Sequence, residues 1–133
     1  MASSLIVLRT SALLLLLLAV ITGLYVGHVT RMAADAAAQA AATAAAHVAV
    51  AEGWPCGPNP PGAAVTAAAQ ASLEQMEHLA VQPVAVDLAA EGCNLVATVT
   101  AVPLDARVSA LQTTAVACRA ATGQAPLSVP GSC

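Results

Sequence analysis

A long uncharged apolar run near the amino terminus constrains this chain more than any other feature. It covers Ser11–Val29 and reads SALLLLLLAVITGLYVGHV. As a helix that rises 1.5 Å per residue, its nineteen positions span about 28 Å, close to the roughly 30 Å hydrocarbon core of a bilayer. The sequence therefore predicts a transmembrane helix over residues 11–29, preceded by a short amino-terminal segment at residues 1–10.

Two hypotheses compete for this run: a signal anchor that is retained and a secretory signal peptide that is removed. Arg9 supplies the basic residue that either needs, and Ala34-Asp35-Ala36 offers a small-residue site for cleavage. The run is longer than the apolar part of a usual signal peptide, and alanines rather than a helix breaker follow it. We therefore favour the anchor and keep a secreted protein, released by cleavage, as an alternative.

The composition excludes whole classes of function. Charged residues make up 8% of the 133 residues, whereas an ordinary soluble domain carries roughly 25%. The only basic residues are four scattered arginines, and these cannot form the surface that neutralises a phosphate backbone. The expected partner is therefore the lipid bilayer, and nucleic acid is not expected as a partner.

The cysteines indicate on which side of the membrane the rest of the chain lies. All four, Cys56, Cys93, Cys118 and Cys133, follow the apolar run. An even number of cysteines in a short exported region predicts disulfides, which persist outside the cytoplasm. We expect a single-pass protein of the cell membrane with its amino terminus in the cytoplasm and residues 30–133 outside.

An alanine-rich segment over residues 30–52, here called the stalk, continues the apolar run. Its polar side chains recur every four residues, so they form one slowly winding polar stripe on a helix, with alanine on the opposite side; they are Arg31, Asp35, Gln39, Thr43 and His47. The alanine face either packs against partner helices, as small-residue faces do in membranes, or lies on the chain's own domain. The spacing leaves both possibilities open.

A linker over residues 53–62 separates the stalk from a small head over residues 63–119. Four prolines and three glycines in the linker prevent a helix. Residues 63–80 then place apolar side chains on one face, which predicts a second helix.

After Pro83 the apolar period becomes two, and three extended runs follow at 84–88, 95–102 and 108–118, although the alanines of the third also allow a helix. Turns are expected at Glu91–Asn94 and at Pro103–Asp105. The predicted fold is α+β: a transmembrane helix that continues into the stalk, then a head of one helix packed on a three-stranded antiparallel meander. Residues 120–133 are expected to form an irregular tail.

No constellation of residues indicates catalysis. Glu74 and His78 lie one helical turn apart and could present two metal ligands, but no third ligand has suitable spacing. The chain has no phosphate-binding loop, no nucleophile motif and no C-x-x-C pair. We therefore expect no catalytic, cofactor-binding or metal-binding residues, and we expect that the protein is not an enzyme.

Three stretches of the chain resemble the TadE/TadG-like pilus-assembly proteins, especially the short actinobacterial ones. They are Arg9-Thr10-Ser11-Ala12, the alanine-rich residues 33–38, and residues 96–101 with 108–110. The resemblance implies a membrane-anchored accessory or minor pilin-like component of a Tad-type pilus or secretion system. Its partners would be other Tad-type membrane proteins, met through the transmembrane and stalk helices, with a homo-oligomer as a further possibility. The alternative is a disulfide-stabilised, membrane-anchored binding module of the cell envelope.

Two departures from the family pattern limit what the resemblance implies. Many TadE-type chains carry a glycine before a cleaved bond and a glutamate five residues later, whereas this chain has Thr10 and Leu15 at those positions. We therefore expect neither prepilin processing nor the role of a major pilin.

The predicted topology brings Cys56, Cys93 and Cys118 to one end of the head, and the tail can bring Cys133 there. Two pairings fit: Cys56–Cys93 with Cys118–Cys133, or Cys93–Cys118 with Cys56–Cys133. The second follows from reflection about a turn at Asp105, which places Cys93 opposite residue 117. The short members of the resembled family favour the first, because they keep a cysteine before the second helix and another near the first hairpin.

Overall fold

The computed structural model describes residues 2–57, 61–76, 81–104 and 111–121. Within them lie two helices and one antiparallel sheet with the strand order β1-β2-β3. The elements are α1 (Ala2–Ala51), α2 (Ala63–Glu74), β1 (Val81–Glu91), β2 (Asn94–Pro103) and β3 (Thr113–Ala120). The predicted α+β fold, with a long amino-terminal helix and a small head, is confirmed.

Helix α1 is continuous from the apolar run through the stalk, and it ends where the linker begins. Gly53 adopts the left-handed conformation with φ +66°, which glycine tolerates because it has no Cβ. Its N–H donates to the carbonyl of Val50 at 3.1 Å, and the N–H of Trp54 donates to the carbonyl of Ala49 at 2.9 Å. This pair of bonds is a Schellman motif, and Pro55 after it prevents the helix from continuing.

The core of the head is built largely from alanine. Every buried residue of α1 between Ala33 and Ala49 is an alanine, and Thr30 extends the same face by one turn. The sheet contributes small residues to this contact as well, among them Ala97 and Ala117. Methyl groups on both surfaces let the helix backbone approach the sheet closely, which larger side chains would prevent.

The helix that covers most of the sheet is α1 rather than α2. The stalk lies against β2 and β3, whereas α2 packs beside α1 and touches the sheet mainly at β1. Along β2 the buried and half-buried side chains alternate, and the buried set that includes Leu95 and Val99 faces the helix layer. The head therefore has two layers, as predicted, but the stalk is its central helix.

The first hairpin has the predicted turn. Glu91 pairs with Asn94, and Gly92 takes φ +63° as the first of the two turn residues, as two-residue hairpins with a glycine there require. The strand β1 begins at Val81, ahead of the expected start at residue 84. Helix α2 ends at Glu74, and residues 77–80 of its predicted extension lie outside the described residues.

The second hairpin differs from the prediction in its register. Asn94 pairs with Ala120, and the N–H of Ala121 donates to the carbonyl of Cys93 at 2.8 Å. The expected position of Cys93 opposite residue 117 is therefore wrong, because the strands are not joined by a tight turn about Asp105. Their connection spans residues 104–112, of which 105–110 lie outside the described residues, as does the predicted tail from residue 122 onward.

Candidate functional surfaces

The amino-terminal part of α1, residues 6–29, is here called the bare half. Its leucines, from Leu8 to Leu24, are 59–71% exposed, and none of the described residues elsewhere in the chain packs over them. By length and composition this helix is apolar enough to cross a membrane. Leucine and isoleucine exposed over this length are a liability for aggregation in water, and lipid or other apolar helices would cover them.

The serine and threonine hydroxyls of the bare half are satisfied within the helix. The hydroxyls of Thr10, Ser11 and Thr22 each donate to a backbone carbonyl three or four residues earlier, at 2.8–3.0 Å. A polar group left without a partner in hydrocarbon is costly, and these bonds remove that cost. The sequence of the bare half is therefore compatible with a lipid environment despite its hydroxyls.

The polar stripe of the stalk faces outward, as its spacing predicts. Arg31, Asp35, Gln39 and His47 are exposed, and the hydroxyl of Thr43 donates to the carbonyl of Gln39 at 2.7 Å. The opposite alanine face is buried against the head. Of the two hypotheses for the stalk, the structure supports the helix that lies on its own domain, and this face is not free to receive a partner helix.

The linker and the first hairpin turn meet at the end of the head farthest from the bare half, here called the distal end. A disulfide joins Cys56 to Cys93 with a Cα–Cα distance of 4.6 Å. Beside it the N–H of Gly57 donates to the carbonyl of Gly92 at 3.0 Å. The linker and the first hairpin turn are therefore fastened together by a covalent bond and a hydrogen bond.

This disulfide is the one that the favoured pairing predicts, and the rival Cys93–Cys118 bond is wrong. Cys118 lies opposite Val96 on the sheet, on the face turned away from α1, and it is also disulfide-bonded. Its predicted partner, Cys133, lies outside the described residues. The Cys118–Cys133 bond therefore stays a prediction.

An open cleft of about 740 Å³ lies between α2 and the start of β1. Its wall combines apolar side chains with the polar side chains of Gln70, Glu74 and Gln82. Its lining residues are Gln70, Leu73, Glu74, Val81, Gln82, Pro83, Ala85, Val86 and Leu104. No pattern in the sequence indicates this cleft, because it depends on how α2 and β1 lie against each other in the fold.

The two residues considered as metal ligands are Glu74 and His78. Glu74 is exposed at the end of α2, and its predicted neighbour His78 lies outside the described residues. His28 and His47 are exposed on α1, about 28 Å apart along the helix. Within the described part of the chain, no group of three histidine, cysteine or acidic residues is placed to hold a metal ion.

Comparison of the chain with protein-family models, with curated proteins and with solved structures finds no match. The features of the chain that bear on its function are therefore its own: the bare half, the head built on the stalk, and the disulfide at the distal end.

Proposed function

We propose that the chain is a non-catalytic membrane-anchored protein that serves as an accessory or minor pilin-like component of a Tad-type pilus or secretion system. The observation that carries the proposal is the division of α1 into two parts, an uncovered apolar half and a half that forms the core of the head. A subunit that first resides in a bilayer and then packs among other subunits needs an apolar helix joined rigidly to a folded head. The resemblance of residues 9–12 and 33–38 to the TadE/TadG-like proteins supports the same function.

The cysteines support a head outside the cytoplasm. The Cys56–Cys93 disulfide belongs to the part of the chain that follows the bare half, and such bonds persist in oxidising compartments. We therefore propose that the amino terminus is cytoplasmic. Alkaline phosphatase fused after Cys133 should be active in this topology, and inactive phosphatase with a fluorescent cytoplasmic reporter at the same site would contradict it.

The burial of the stalk supports retention of the anchor. Cleavage after Ala36 would separate Thr30, Ala33 and Ala34 from a core in which they are at most 8% exposed. The intact mass of the protein in membrane fractions tests this directly. A mature amino terminus at Ala37 would contradict the anchor, and one at Ser11 would contradict the absence of prepilin processing.

We place the contacts with other membrane proteins on the bare half, because the alanine face of the stalk is occupied. A photo-crosslinking amino acid at Leu17, in the native host, should attach to other membrane subunits of the secretion system. The same probe at Gln39, on the exposed stripe of the stalk, is the matched control and should give few such products. Equal crosslinking from the two positions would contradict this assignment.

The pilus function itself is tested by deleting the gene and imaging the cell surface. The proposal expects fewer or shorter pili, restored by the full chain, and a secretion ATPase gene with Tad-type membrane protein genes nearby. The open cleft beside α2 favours a second candidate, an anchored binding module of the envelope. Unchanged pili, together with a gene neighbourhood that has no secretion genes, would support that second candidate.

A further inference from the structure

The stalk does not hold the head away from the end of the apolar run. Val29, the last residue of the run, is half-buried, and the next residue, Thr30, is only 2% exposed. A projecting stalk would leave one or more helical turns uncovered at this point. If the bare half spans a bilayer, the head therefore begins at the membrane surface.

The end of the head that lies nearest to the membrane can be identified from the distal disulfide. The Cys56–Cys93 bond holds the first hairpin turn beside the carboxyl-terminal end of α1. From that turn the 11 residues of β1 extend about 33 Å, and α1 covers about 32 Å between Ala51 and Thr30. The start of β1 and its paired neighbour, the end of β2, are thus level with the start of the head.

Exposed leucines stand at this membrane-proximal end. Leu104, which directly follows β2, is 62% exposed, and Leu111, just before β3, is 41% exposed. Met32, two residues beyond Thr30 on α1, is 60% exposed. Large apolar side chains at the same level on separate segments form a surface that water solvates poorly.

The charges on α1 place this surface at the depth of the lipid headgroups. Arg9 and Arg31 stand 22 residues apart, about 33 Å along a helix, so they can bracket a hydrocarbon core of roughly 30 Å. Arg31 then lies among the headgroups, one residue beyond Thr30. Apolar side chains at that level reach the boundary between headgroups and acyl chains, where amphipathic elements bind.

We infer that the membrane-proximal end of the head docks on the phospholipid surface and inserts Leu104 and Leu111 into the interface. The bilayer is the occupant of this surface because the surface lies level with Arg31, where the bare half ends. The inference depends on the proposed membrane anchor. It gives the head a fixed orientation on the bilayer, with the disulfide-linked distal end pointing away from the membrane.

The test uses the full chain in phosphatidylcholine vesicles whose acyl chains carry bromine near the headgroup. Trp54 is the only tryptophan of the chain and lies at the distal end, so the native protein should show no loss of fluorescence in brominated lipid. In a Trp54→Phe background, the variants Leu104→Trp and Leu111→Trp should each lose fluorescence and shift their emission to shorter wavelength. Val116→Trp is the matched control, because Val116 is 42% exposed but pairs with Thr98 in the middle of the sheet, and it should lose none.

A separate variant tests the membrane anchor independently of the docking of the head. Leu17→Trp in the same background reports insertion of the bare half and should be quenched by bromine deep in the acyl chains. Quenching of Leu17→Trp without quenching of Leu104→Trp or Leu111→Trp would overturn the docking and leave the anchor intact. No quenching of Leu17→Trp would overturn the anchor, and the docking with it.

Discussion

The two halves of α1 reverse the usual relation between hydropathy and burial. The bare half carries leucine, isoleucine and valine, and its large apolar side chains from Ile6 to Tyr25 are at least 51% exposed. The stalk carries alanine, and its inward face from Ala34 to Ala45 is nearly inaccessible to solvent. The most apolar part of the helix is therefore outside the head, and the least apolar part is inside it.

The difference shows that close fit to the sheet, rather than hydropathy, decides which half of α1 is buried in the head. The sheet presents small residues such as Ala101 and Ala115 to the helix, so only a smooth alanine face fits closely against it. Each buried methyl group contributes less than about 1 kcal/mol, so the contact is close but weak per residue. The leucines of the bare half have no equivalent surface in the described chain, and a bilayer offers one.

The largest expected effect comes from placing charge in the bare half. The double variant Leu14→Arg with Leu18→Arg should abolish membrane retention, because each arginine at the centre of a membrane helix costs about 2.5–3.5 kcal/mol. Carbonate extraction of membranes measures the loss. The control, Leu14→Ala with Leu18→Ala, should stay in the membrane, and equal retention of both variants would show that the bare half does not span it.

Next in size is the loss of the distal disulfide, which fastens the weakly packed stalk to the hairpin. Cys56→Ser with Cys93→Ser opens a loop with a sequence separation of 37 and should lower the free energy of unfolding of the head by about 3–4 kcal/mol. Denaturant unfolding in detergent, followed by circular dichroism, measures this, and hydrogen exchange in α1 should rise from Ala33 onward. An unchanged unfolding midpoint would mean that the alanine contacts suffice without the bond.

A smaller effect tests whether the alanine face is a close fit. Ala41 is 0% exposed, so Ala41→Leu should destabilise the head by about 1–3 kcal/mol through overpacking. Ala36 lies on the exposed side of the same helix, and Ala36→Leu should change stability by less than about 0.5 kcal/mol. Both variants keep a strong helix former, so the comparison isolates packing, and similar thermal midpoints for the two would argue against a close contact.

The smallest effect concerns the point where the stalk ends. Gly53→Ala forces a Cβ into the left-handed conformation and should cost about 1 kcal/mol. Gly62 has φ −59°, and a Cβ there would meet Glu52 Oε2 at an ordinary 3.6 Å, so Gly62→Ala adds no left-handed strain and should cost less than Gly53→Ala. If the two substitutions destabilised the head equally, the Schellman motif would not be what ends α1.

Much of the architecture follows from local rules that act over a few residues. The helix ends where Gly53 and Pro55 require it, the first hairpin turns at Gly92, and β2 alternates as its β-branched residues predict. The polar stripe from Arg31 to His47 is exposed for the same reason, since helical periodicity alone sets which side chains share a face. These features depend on backbone conformation and spacing, which a sequence carries directly.

Contacts between segments that are distant in the sequence were decided only by the tertiary structure. The period of four in the stalk is compatible with packing of its alanine face either on a partner helix or on the chain's own sheet. It packs on the sheet because β2 and β3 present small residues to it. The register of β3 depended on a connection longer than a tight turn, and so Cys93 lies opposite Ala121 rather than beside Cys118. The apolar run by itself determined that part of this protein needs a nonaqueous environment, because about 28 Å of uncharged helix is too apolar for water. The three-dimensional fold decided how far the buried face of α1 extends, because the close packing of its alanines against the sheet continues down the helix towards the buried Thr30.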